Sequence, residues 1–269
     1  MSDRRASLAE ALALVHDGDV VGLGGAVLSR KPMAAVRGLL DAGLRDLEIV
    51  TFTGSLDVEL LVTAGAARAI RSSSVSLGPL GPAPAFTAAV ESGAVEDLEA
   101  SEWMLLGGLR AAAAGMPFLP TRAGLGSDLV SARGLREVTD PYTGESLLAV
   151  PALAPDIAFV HGWRADRHGN VQQPWPPDHL ADVDLLLARA ARTAVVTVEE
   201  IVDARTVAET AERTALFAFE VDAVVEVPGG AAPTASPPHY GVDHAAVTSA
   251  VSPMMSVDAG RGDSRSGGM

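Results

Sequence analysis

The stretch from Asp17 to Pro32 constrains the fold of this chain more than any other. A short apolar strand, Val20–Leu23, runs directly into Gly24 and Gly25, and Pro32 then opens a helix with an apolar face. Glycines after a buried strand let the backbone turn sharply, and proline is tolerated in the first turn of a helix. The stretch therefore predicts a strand, a tight turn and a helix, which is the basic unit of an α/β protein.

The glycines do not match either of the two common nucleotide-binding loops. The dinucleotide fingerprint G-x-G-x-x-G requires a third glycine where this chain has Val27. The phosphate-binding loop G-x-x-x-x-G-K-[ST] requires a glycine and a hydroxyl where this chain has Arg30 and Pro32. Consecutive N–H groups in a sharp turn can still converge on a negative oxygen, which suits a carboxylate or a thioester oxyanion. An ordinary strand-to-helix turn explains the same spacing equally well.

Composition excludes several classes of function. The 269 residues carry a net charge of −14, whereas a nucleic-acid surface requires clustered Lys and Arg. The chain has no cysteine, which excludes disulfides, thiol nucleophiles and thiolate metal sites, and its six histidines are scattered without metal-binding spacing. No apolar run reaches about 18 residues and the N-terminal segment does not resemble a signal peptide. We therefore expect a cytoplasmic protein without a membrane span, a nucleic-acid partner or a metal.

The rest of the chain alternates between predicted helices and strands. Ser7 and Glu10 form a capping box at the start of the first helix. The alternation predicts an α/β fold with an open, mostly parallel sheet and flanking helices. We expect one domain over residues 1–251 and a disordered tail over residues 252–269, which lack a hydrophobic period. The other predicted elements are strands at 47–52, 69–71, 157–161, 194–198 and 221–227, a hairpin at 135–150, helices at 85–90, 105–114 and 182–191, an ordered loop at 116–127 and a polar turn at 164–172.

Ligands of open parallel sheets bind beyond the carboxyl ends of the strands, where four polar or glycine-rich segments are predicted to lie. Glu102 joins them as a carboxylate immediately before a helix that is apolar nearly all round, and burial there would suit it to acid–base chemistry near neutral pH. The alternative for Glu102 is a solvated residue that complements the helix dipole, and for His168 it is a simple turn residue. The four segments are Gly24–Arg30, Thr53–Ser55, Gly78–Gly81 and Asp166–Asn170.

Four groups of residues, spread in order over residues 7–242, form a recognisable pattern. They are Gly24-Gly25 with Arg30-Lys31-Pro32-Met33, Ser101-Glu102-Trp103 with the segment 108–113, the segment 117–122, and the segment 165–171. Together they resemble the alpha subunit of family I CoA-transferases, the glutaconate CoA-transferase type. The resemblance implies an open α/β fold of the NagB/RpiA-like kind and an obligate partner beta subunit. It also implies a coenzyme A thioester as substrate and no tightly bound cofactor.

In that family the nucleophile is a glutamate of the beta subunit, so the resemblance assigns no nucleophile to this chain. The alpha subunit would supply the glycine turn, with the N–H groups of Gly24 and Gly25 placed for an oxyanion, and walls for the acyl group. The oxyanion-binding and acyl-binding residues that the resemblance implies are Gly24, Gly25, Ser29, Arg30, Thr53, Gly54, Gly78, Gly124, Gly126, His168 and Asn170.

One branch of the family is hydrolytic. The ring-opening hydrolases of actinobacterial cholesterol catabolism lack the beta-subunit nucleophile and use an alpha-subunit glutamate as the acid–base group. Glu102 lies at the position that resembles this glutamate, and the segments 29–33, 117–120 and 123–127 resemble this branch. The segment 161–172 instead resembles the transferases, and Ala232 stands where relatives often carry histidine. The predictions are therefore CoA transfer between carboxylic acids, ring opening of a CoA thioester with Glu102 as acid–base group, or a non-catalytic ligand-binding role on the same fold.

Overall fold

The computed structural model describes residues 2–259, and only the backbone of residues 253–259. Its centre is a nine-stranded sheet, which includes two short antiparallel strands, β11 (Val171–Gln172) and β13 (Thr214–Leu216). This confirms the predicted α/β fold with a mostly parallel sheet. The parallel strands are, in spatial order, β14 (Ala223–Glu226), β12 (Thr193–Val202), β10 (Ile157–Asp166), β1 (Val20–Leu23), β2 (Leu47–Val50), β4 (Ala67–Arg71) and β6 (Glu96–Asp97).

Helices cover both faces of this sheet because alternate strand residues point to opposite sides. Phe159 packs into one apolar cluster, whereas its neighbours Ala158 and Val160 pack into the other. The first face carries α1 (Leu8–Leu12), α2 (Met33–Asp41), α3 (Leu56–Thr63), α4 (Pro84–Glu91) and α9 (His244–Ala259), and the second carries α5 (Glu102–Ala113) and α7 (Ala181–Ala190). None of the described helices is both long enough and apolar enough to cross a membrane.

Two smaller sheets flank the central one. β3 (Thr53–Gly54) pairs with β5 (Ser74–Val75), and β7 (Phe118–Thr121), β9 (Ser146–Pro151) and β8 (Arg136–Thr139) form an antiparallel sheet in that order. The predicted hairpin at 135–150 is confirmed. The predicted loop at 116–127 is wrong over 118–121, because Pro120 lies in an edge strand, where a missing N–H is tolerated. The short helices α6 (Leu129–Ala132) and α8 (Ala204–Glu209) complete the fold.

Most predicted elements are present, but several of their bounds differ, and β12 runs on to Val202 instead of ending at the predicted residue 198. The capping box on α1 is present, with the Glu10 N–H donating to Ser7 Oγ over 3.2 Å. β2 ends at residue 50, before the predicted residue 52. β10 continues to Asp166 because its end pairs with β11, so the polar turn predicted from residue 164 starts later. α9 reaches Ala259, past the predicted start of the tail at 252, and residues 260–269 lie outside the described residues.

Candidate functional site

Three of the four predicted segments lie side by side at the carboxyl ends of β1, β2 and β4. The Val27 N–H donates to Thr53 Oγ1 over 3.0 Å, and a Cβ added to Gly78 would lie 3.1 Å from Val27 Cγ1. Gly54 follows Thr53 in β3. The turn after β1 is therefore in direct contact with the segments after β2 and β4, as expected for a ligand site of an open parallel sheet.

The turn after β1 is a tight backbone loop closed on itself. The N–H groups of Ala26 and Ser29 each donate to the other residue's carbonyl over 2.9 Å. Val27 and Arg30 adopt φ angles of 51° and 54°, which non-glycine residues rarely do. Such outliers persist only where the surrounding structure holds them, and they are frequent at functional sites.

Gly25 is required by this geometry. Its φ is 80°, and an added Cβ would lie 2.5 Å from the Ser29 carbonyl oxygen and 2.6 Å from the Lys31 nitrogen. Real Cβ atoms do not approach backbone atoms so closely, so a side chain at this position would displace the turn. Only glycine fits here.

The N–H groups of Gly24 and Gly25 are both used inside the protein. Gly24 donates to the Phe159 carbonyl over 2.9 Å, and Gly25 donates to Asp184 Oδ1 over 2.7 Å. The sequence predicted that these two groups would bind an oxyanion. Both donors already have internal acceptors, which argues against this predicted role.

Asp184 also binds Arg30, at the other end of the turn from Gly25. Its second oxygen, Oδ2, accepts a hydrogen bond from Arg30 Nε over 2.9 Å. Arg30 is 3% exposed and Asp184 is 2% exposed, so this ion pair is shielded from water. Burial raises the pKa of the Asp184 carboxyl, while the Arg30 guanidinium and the Gly25 N–H favour its charged form. One carboxylate therefore fixes both Gly25 and Arg30.

Asp178 completes this cluster from the loop before α7. It accepts hydrogen bonds from Arg30 Nη1 and from Ser29 Oγ, the latter over 2.6 Å. Burial opposes the charged form of Asp178, but the hydrogen bond from Ser29 and the Arg30 guanidinium outweigh it and lower the pKa. Sequence analysis missed Asp178 and Asp184. A signal existed for Asp184, a carboxylate on the buried side of a helix beside Val183 and Leu187.

Lys31 is fully buried beneath the turn. Its Nζ lies 2.9 Å from Asp57 Oδ2 and donates to Thr51 Oγ1 over 2.9 Å. Asp57 is also buried, and its Oδ1 accepts the Ser55 N–H over 2.8 Å. Both cations of the Arg30-Lys31 pair are therefore neutralised by carboxylates of this chain.

Glu102 is the first residue of α5, and it is exposed. The Ser101 side chain caps the helix by accepting the Met104 N–H over 3.3 Å. Within the described residues, no hydrogen bond or ion pair engages the Glu102 carboxylate. The predicted burial of Glu102 is therefore not provided by this chain. The helix is also not buried all round, because Trp103 is 65% exposed and Arg110 is exposed as well.

Helical geometry places Glu102 on the same stripe of α5 as Leu109, which borders the glycine turn. Glu102, Leu105 and Leu109 follow an i, i+3, i+7 spacing, which places them on one stripe of α5. Leu109 lines a cavity of about 10 Å³ together with Gly24 and Gly25. Glu102 lies about 10 Å further along the same stripe, at 1.5 Å per residue, towards the carboxyl edge of the sheet.

Gly124 and Gly126 lie on the other side of α5. A Cβ on Gly124 would lie 3.0 Å from Met104 Sδ, whereas one on Gly126 would meet open space. Between α5 and β9 there is a cavity of about 390 Å³. It is lined by Met104, Leu105, Gly108, Val150 and Leu153, among others. The loop carrying both glycines thus adjoins the start of α5 and does not contact the turn after β1 in any described interaction.

His168 and Asn170 belong to a separate turn built around Asp166. The Asp166 carboxylate accepts the N–H groups of both residues and the Asn170 side-chain amide, over 2.8 to 3.1 Å. Asn170 Oδ1 accepts the Ala218 N–H, and His168 Nδ1 lies 3.2 Å from the Ser2 carbonyl. In the described part of the chain, no contact joins this turn to the glycine turn. The geometry favours the simple turn role for His168.

Comparison with known proteins shows the family to which this chain is related. The family model for coenzyme A transferase matches residues 5–226. The cholesterol ring-cleaving hydrolase IpdA subunit of Mycobacterium tuberculosis is 40% identical over 253 residues, covering 90% of this chain and 85% of that protein. One subunit of the 3-oxoadipate CoA-transferase from Pseudomonas knackmussii is 36% identical over 234 residues, covering 86% of this chain and 80% of that protein.

The fold comparison agrees with the sequence comparison. The crystal structure of glutaconate coenzyme A-transferase from Acidaminococcus fermentans superposes with a TM-score of 0.85 at 26% identity. It covers 96% of this chain and 87% of the matched chain. With the family model matching most of the sequence and relatives well above 30% identity, the chain belongs to the coenzyme A transferase family, as an alpha-type subunit.

Proposed function

We propose that this chain is the alpha subunit of a heteromeric enzyme that moves coenzyme A between carboxylic acids, with the nucleophilic glutamate supplied by a beta subunit. Its relatives in the comparison are named as subunits of larger enzymes, which supports a partner chain. The glycine turn supports the same proposal, since its acidic and basic side chains are paired with one another and leave no free nucleophile there.

The strained turn after β1 is the observation that carries the proposal. Over residues 24–30, six of the seven N–H groups donate to acceptors within the chain. The Leu28 N–H has no acceptor among the described residues; Leu28 is 6% exposed and follows the strained Val27 in the turn. We therefore propose the Leu28 N–H, in place of Gly24 and Gly25, as the donor that this chain offers to a thioester oxyanion. A preorganised donor of this kind is worth about 2.7 to 4 kcal/mol in a site that excludes water.

Charge pairing suggests how coenzyme A is shared between the subunits. Arg30 is paired with Asp178 and Asp184, and Lys31 is paired with Asp57. The turn therefore offers no unpaired cation to the phosphates of the nucleotide, whose recognition depends on Arg and Lys. We propose that the beta subunit holds most of the nucleotide and that this chain contacts the thioester and the acyl group.

A second candidate function is ring-opening hydrolysis with Glu102 as the acid–base group. The position of Glu102 favours it: Glu102 is exposed and has no partner among residues 2–252, and a carboxylate free of internal partners can exchange protons with a substrate. The IpdA subunit, a cholesterol ring-cleaving hydrolase by name, is 40% identical to this chain, whereas the 3-oxoadipate transferase subunit is 36% identical. This small difference in identity does not separate the two chemistries.

The variant Glu102→Gln, in the complex with its partner subunit, tests the choice between CoA transfer and ring-opening hydrolysis. Under the hydrolase proposal, turnover of acyl-CoA falls by roughly 10²- to 10⁴-fold, the usual contribution of general acid–base catalysis. Under the transferase proposal, most activity remains, and hydroxylamine traps a glutamyl thioester on the partner subunit. Glu99→Gln is the matched control, since Glu99 is also an exposed carboxylate just before α5. A complex that neither binds nor converts any acyl-CoA would contradict both proposals and favour a non-catalytic binding role.

A further inference from the structure

A partly buried hydrogen-bond network lies on the α2 side of the sheet and has no role in the proposed chemistry. Glu199 Oε1 accepts the Tyr240 hydroxyl over 2.7 Å and lies 2.8 Å from His161 Nε2. Glu199 Oε2 accepts the Gly229 N–H over 2.7 Å. His161 is 1% exposed, and its Nδ1 lies 2.9 Å from Thr197 Oγ1. Every polar atom of the Glu199 carboxylate is therefore engaged.

The network keeps Glu199 in one charge state and one orientation. Burial opposes its charged form, but the hydrogen bonds from His161, Tyr240 and Gly229 outweigh burial and lower the pKa of Glu199 to about 2. Burial and the hydrogen bond to Glu199 raise the pKa of Tyr240. At neutral pH the pair is thus a charged acceptor with a neutral donor, which is the stronger class of hydrogen bond.

The same groups tie down a loop, residues 229–240, at both of its ends. Gly229 is held by Glu199 directly, and Tyr240 is held by its hydroxyl. The Tyr240 hydroxyl also accepts the Ala231 N–H over 3.1 Å, which links the two ends of the loop to each other. A loop fixed at several points loses much of its freedom, which favours a single conformation.

This loop in turn holds the backbone of the glycine turn. The Arg30 N–H donates to the Ala235 carbonyl over 2.7 Å, and the Ala235 N–H donates to the Leu28 carbonyl over 2.8 Å. The Ala34 N–H, at the start of α2, donates to the Gly230 carbonyl over 2.8 Å. Leu28 and Arg30 are therefore bound to the loop through their own main-chain atoms.

We propose that Glu199 and Tyr240 are positioning residues: they fix the loop 229–240, which fixes the backbone of Leu28 and Arg30 and so aims the Leu28 N–H. The kinetic consequence of this inference rests on the proposed function, because it requires an acyl-CoA oxygen at the Leu28 N–H. The structural consequence does not rest on the proposed function, because the hydrogen bonds between the loop and the turn lie within this chain.

Tyr240→Phe and Glu199→Gln test the inference. Tyr240→Phe removes two hydrogen bonds while keeping the ring, and Glu199→Gln keeps the side-chain shape while weakening its acceptors. Glu226→Gln is the matched control, because Glu226, on the adjacent β14, accepts the Ile201 N–H and, among the described residues, no hydrogen bond from the loop 229–240. The measurement is hydrogen exchange of the Arg30 and Ala235 amides by NMR on the full chain, together with kcat and KM of the complex.

We expect exchange at Arg30 and Ala235 to rise at least about tenfold in Tyr240→Phe and in Glu199→Gln, and to stay unchanged in Glu226→Gln. In the complex, kcat falls by about tenfold to a hundredfold while KM changes little, since an oxyanion donor acts mainly in the transition state. Unchanged exchange at Arg30 in folded Tyr240→Phe would overturn the positioning role. Faster exchange in a complex that is inactive even as wild type would instead leave the positioning role standing and count against the proposed function.

Discussion

The glycine turn and the start of α5 lie at the same edge of the sheet and differ in how this chain holds them. Arg30 in the turn is 3% exposed and bonded to two carboxylates, and Gly25 is held by one of them. Glu102 at the start of α5 is exposed and has no partner in the described residues. The turn is preorganised by its own chain, whereas Glu102 is positioned only by its place on the helix.

This difference shows which part of the site this chain can complete alone. Electrostatic preorganisation requires donors whose direction is fixed before substrate arrives, and the turn meets this requirement. An acid–base group instead needs a water-poor environment to work near neutral pH, and nothing in the described part of this chain provides it at Glu102. A partner subunit or the bound acyl group must therefore cover Glu102 if it is to act.

The largest expected loss of stability comes from a substitution that removes a contact of the glycine turn. Asp184→Ala removes the acceptor of both the buried Arg30 Nε–H and the Gly25 N–H, and leaves Asp178 as the remaining partner of Arg30. Removing one member of a buried pair typically costs about 3 to 5 kcal/mol. The free energy of unfolding, measured with urea, should fall by this amount. Asp182→Ala is the control, because Asp182 is an exposed residue of the same helix, and an equal loss in both variants would contradict the role of Asp184.

Gly25→Ala should have a smaller but still large effect. The new methyl group meets the Ser29 carbonyl and the Lys31 nitrogen, and the backbone stays at a φ of 80°. Backbone strain of this kind costs about 1 to 3 kcal/mol, and we expect the upper part of that range in urea unfolding.

Gly65→Ala separates the contribution of φ from that of the clash. Gly65 has a φ of 64°, and an added Cβ would meet no atom within 4 Å. Its variant should lose only about 1 kcal/mol in thermal or urea unfolding, the cost of a left-handed conformation alone. Equal losses at both positions would show that the turn after β1 can move to accept a side chain.

The sequence predicts the scaffold of the site better than its contacts. Strand patterns and the Gly24-Gly25 pair locate the turn at the end of β1, because burial and backbone freedom are local properties of the chain. The acceptors of the two N–H groups, Phe159 and Asp184, come from far along the sequence. Only the tertiary fold brings them together, so the sequence predicted Gly24 and Gly25 as free oxyanion donors although both N–H groups have internal acceptors.

The same limit explains why the sequence predicted burial of Glu102, which this chain does not provide. Its place before an apolar segment suggests burial, but periodicity gives only the direction of a stripe and not what covers it. In the structure the apolar residues of α5 divide among the central sheet, the small sheet that contains β9, and an exposed side that carries Trp103. The Glu199 network was missed for a related reason: His161, Glu199 and Tyr240 have no spacing in sequence that marks them as partners.

The pH dependence of the unfolding free energy tests how Glu199 holds the loop 229–240, which in turn contacts the glycine turn. The pKa of Glu199 falls from 4.5 to about 2 on folding, so Glu199 stabilises the protein fully above pH 4.5. This contribution is lost as the pH falls from 4.5 to about 2. Glu199→Gln should therefore show a flatter dependence of unfolding free energy on pH than wild type in this window. Parallel curves for the two proteins would contradict the charged, hydrogen-bonded state of Glu199.

The smallest expected effect on stability is at Glu102. Glu102→Gln removes one charge at the start of α5, where a carboxylate interacts with the helix dipole for about 0.3 to 1 kcal/mol. Urea unfolding of the chain alone should detect a loss within this range, because no described group is left without a partner. A loss as large as that of Asp184→Ala would mean that Glu102 is held by this chain after all. A small loss of stability combined with a large fall in turnover of the complex would show that Glu102 acts in catalysis, whereas the residues of the glycine turn stabilise the fold.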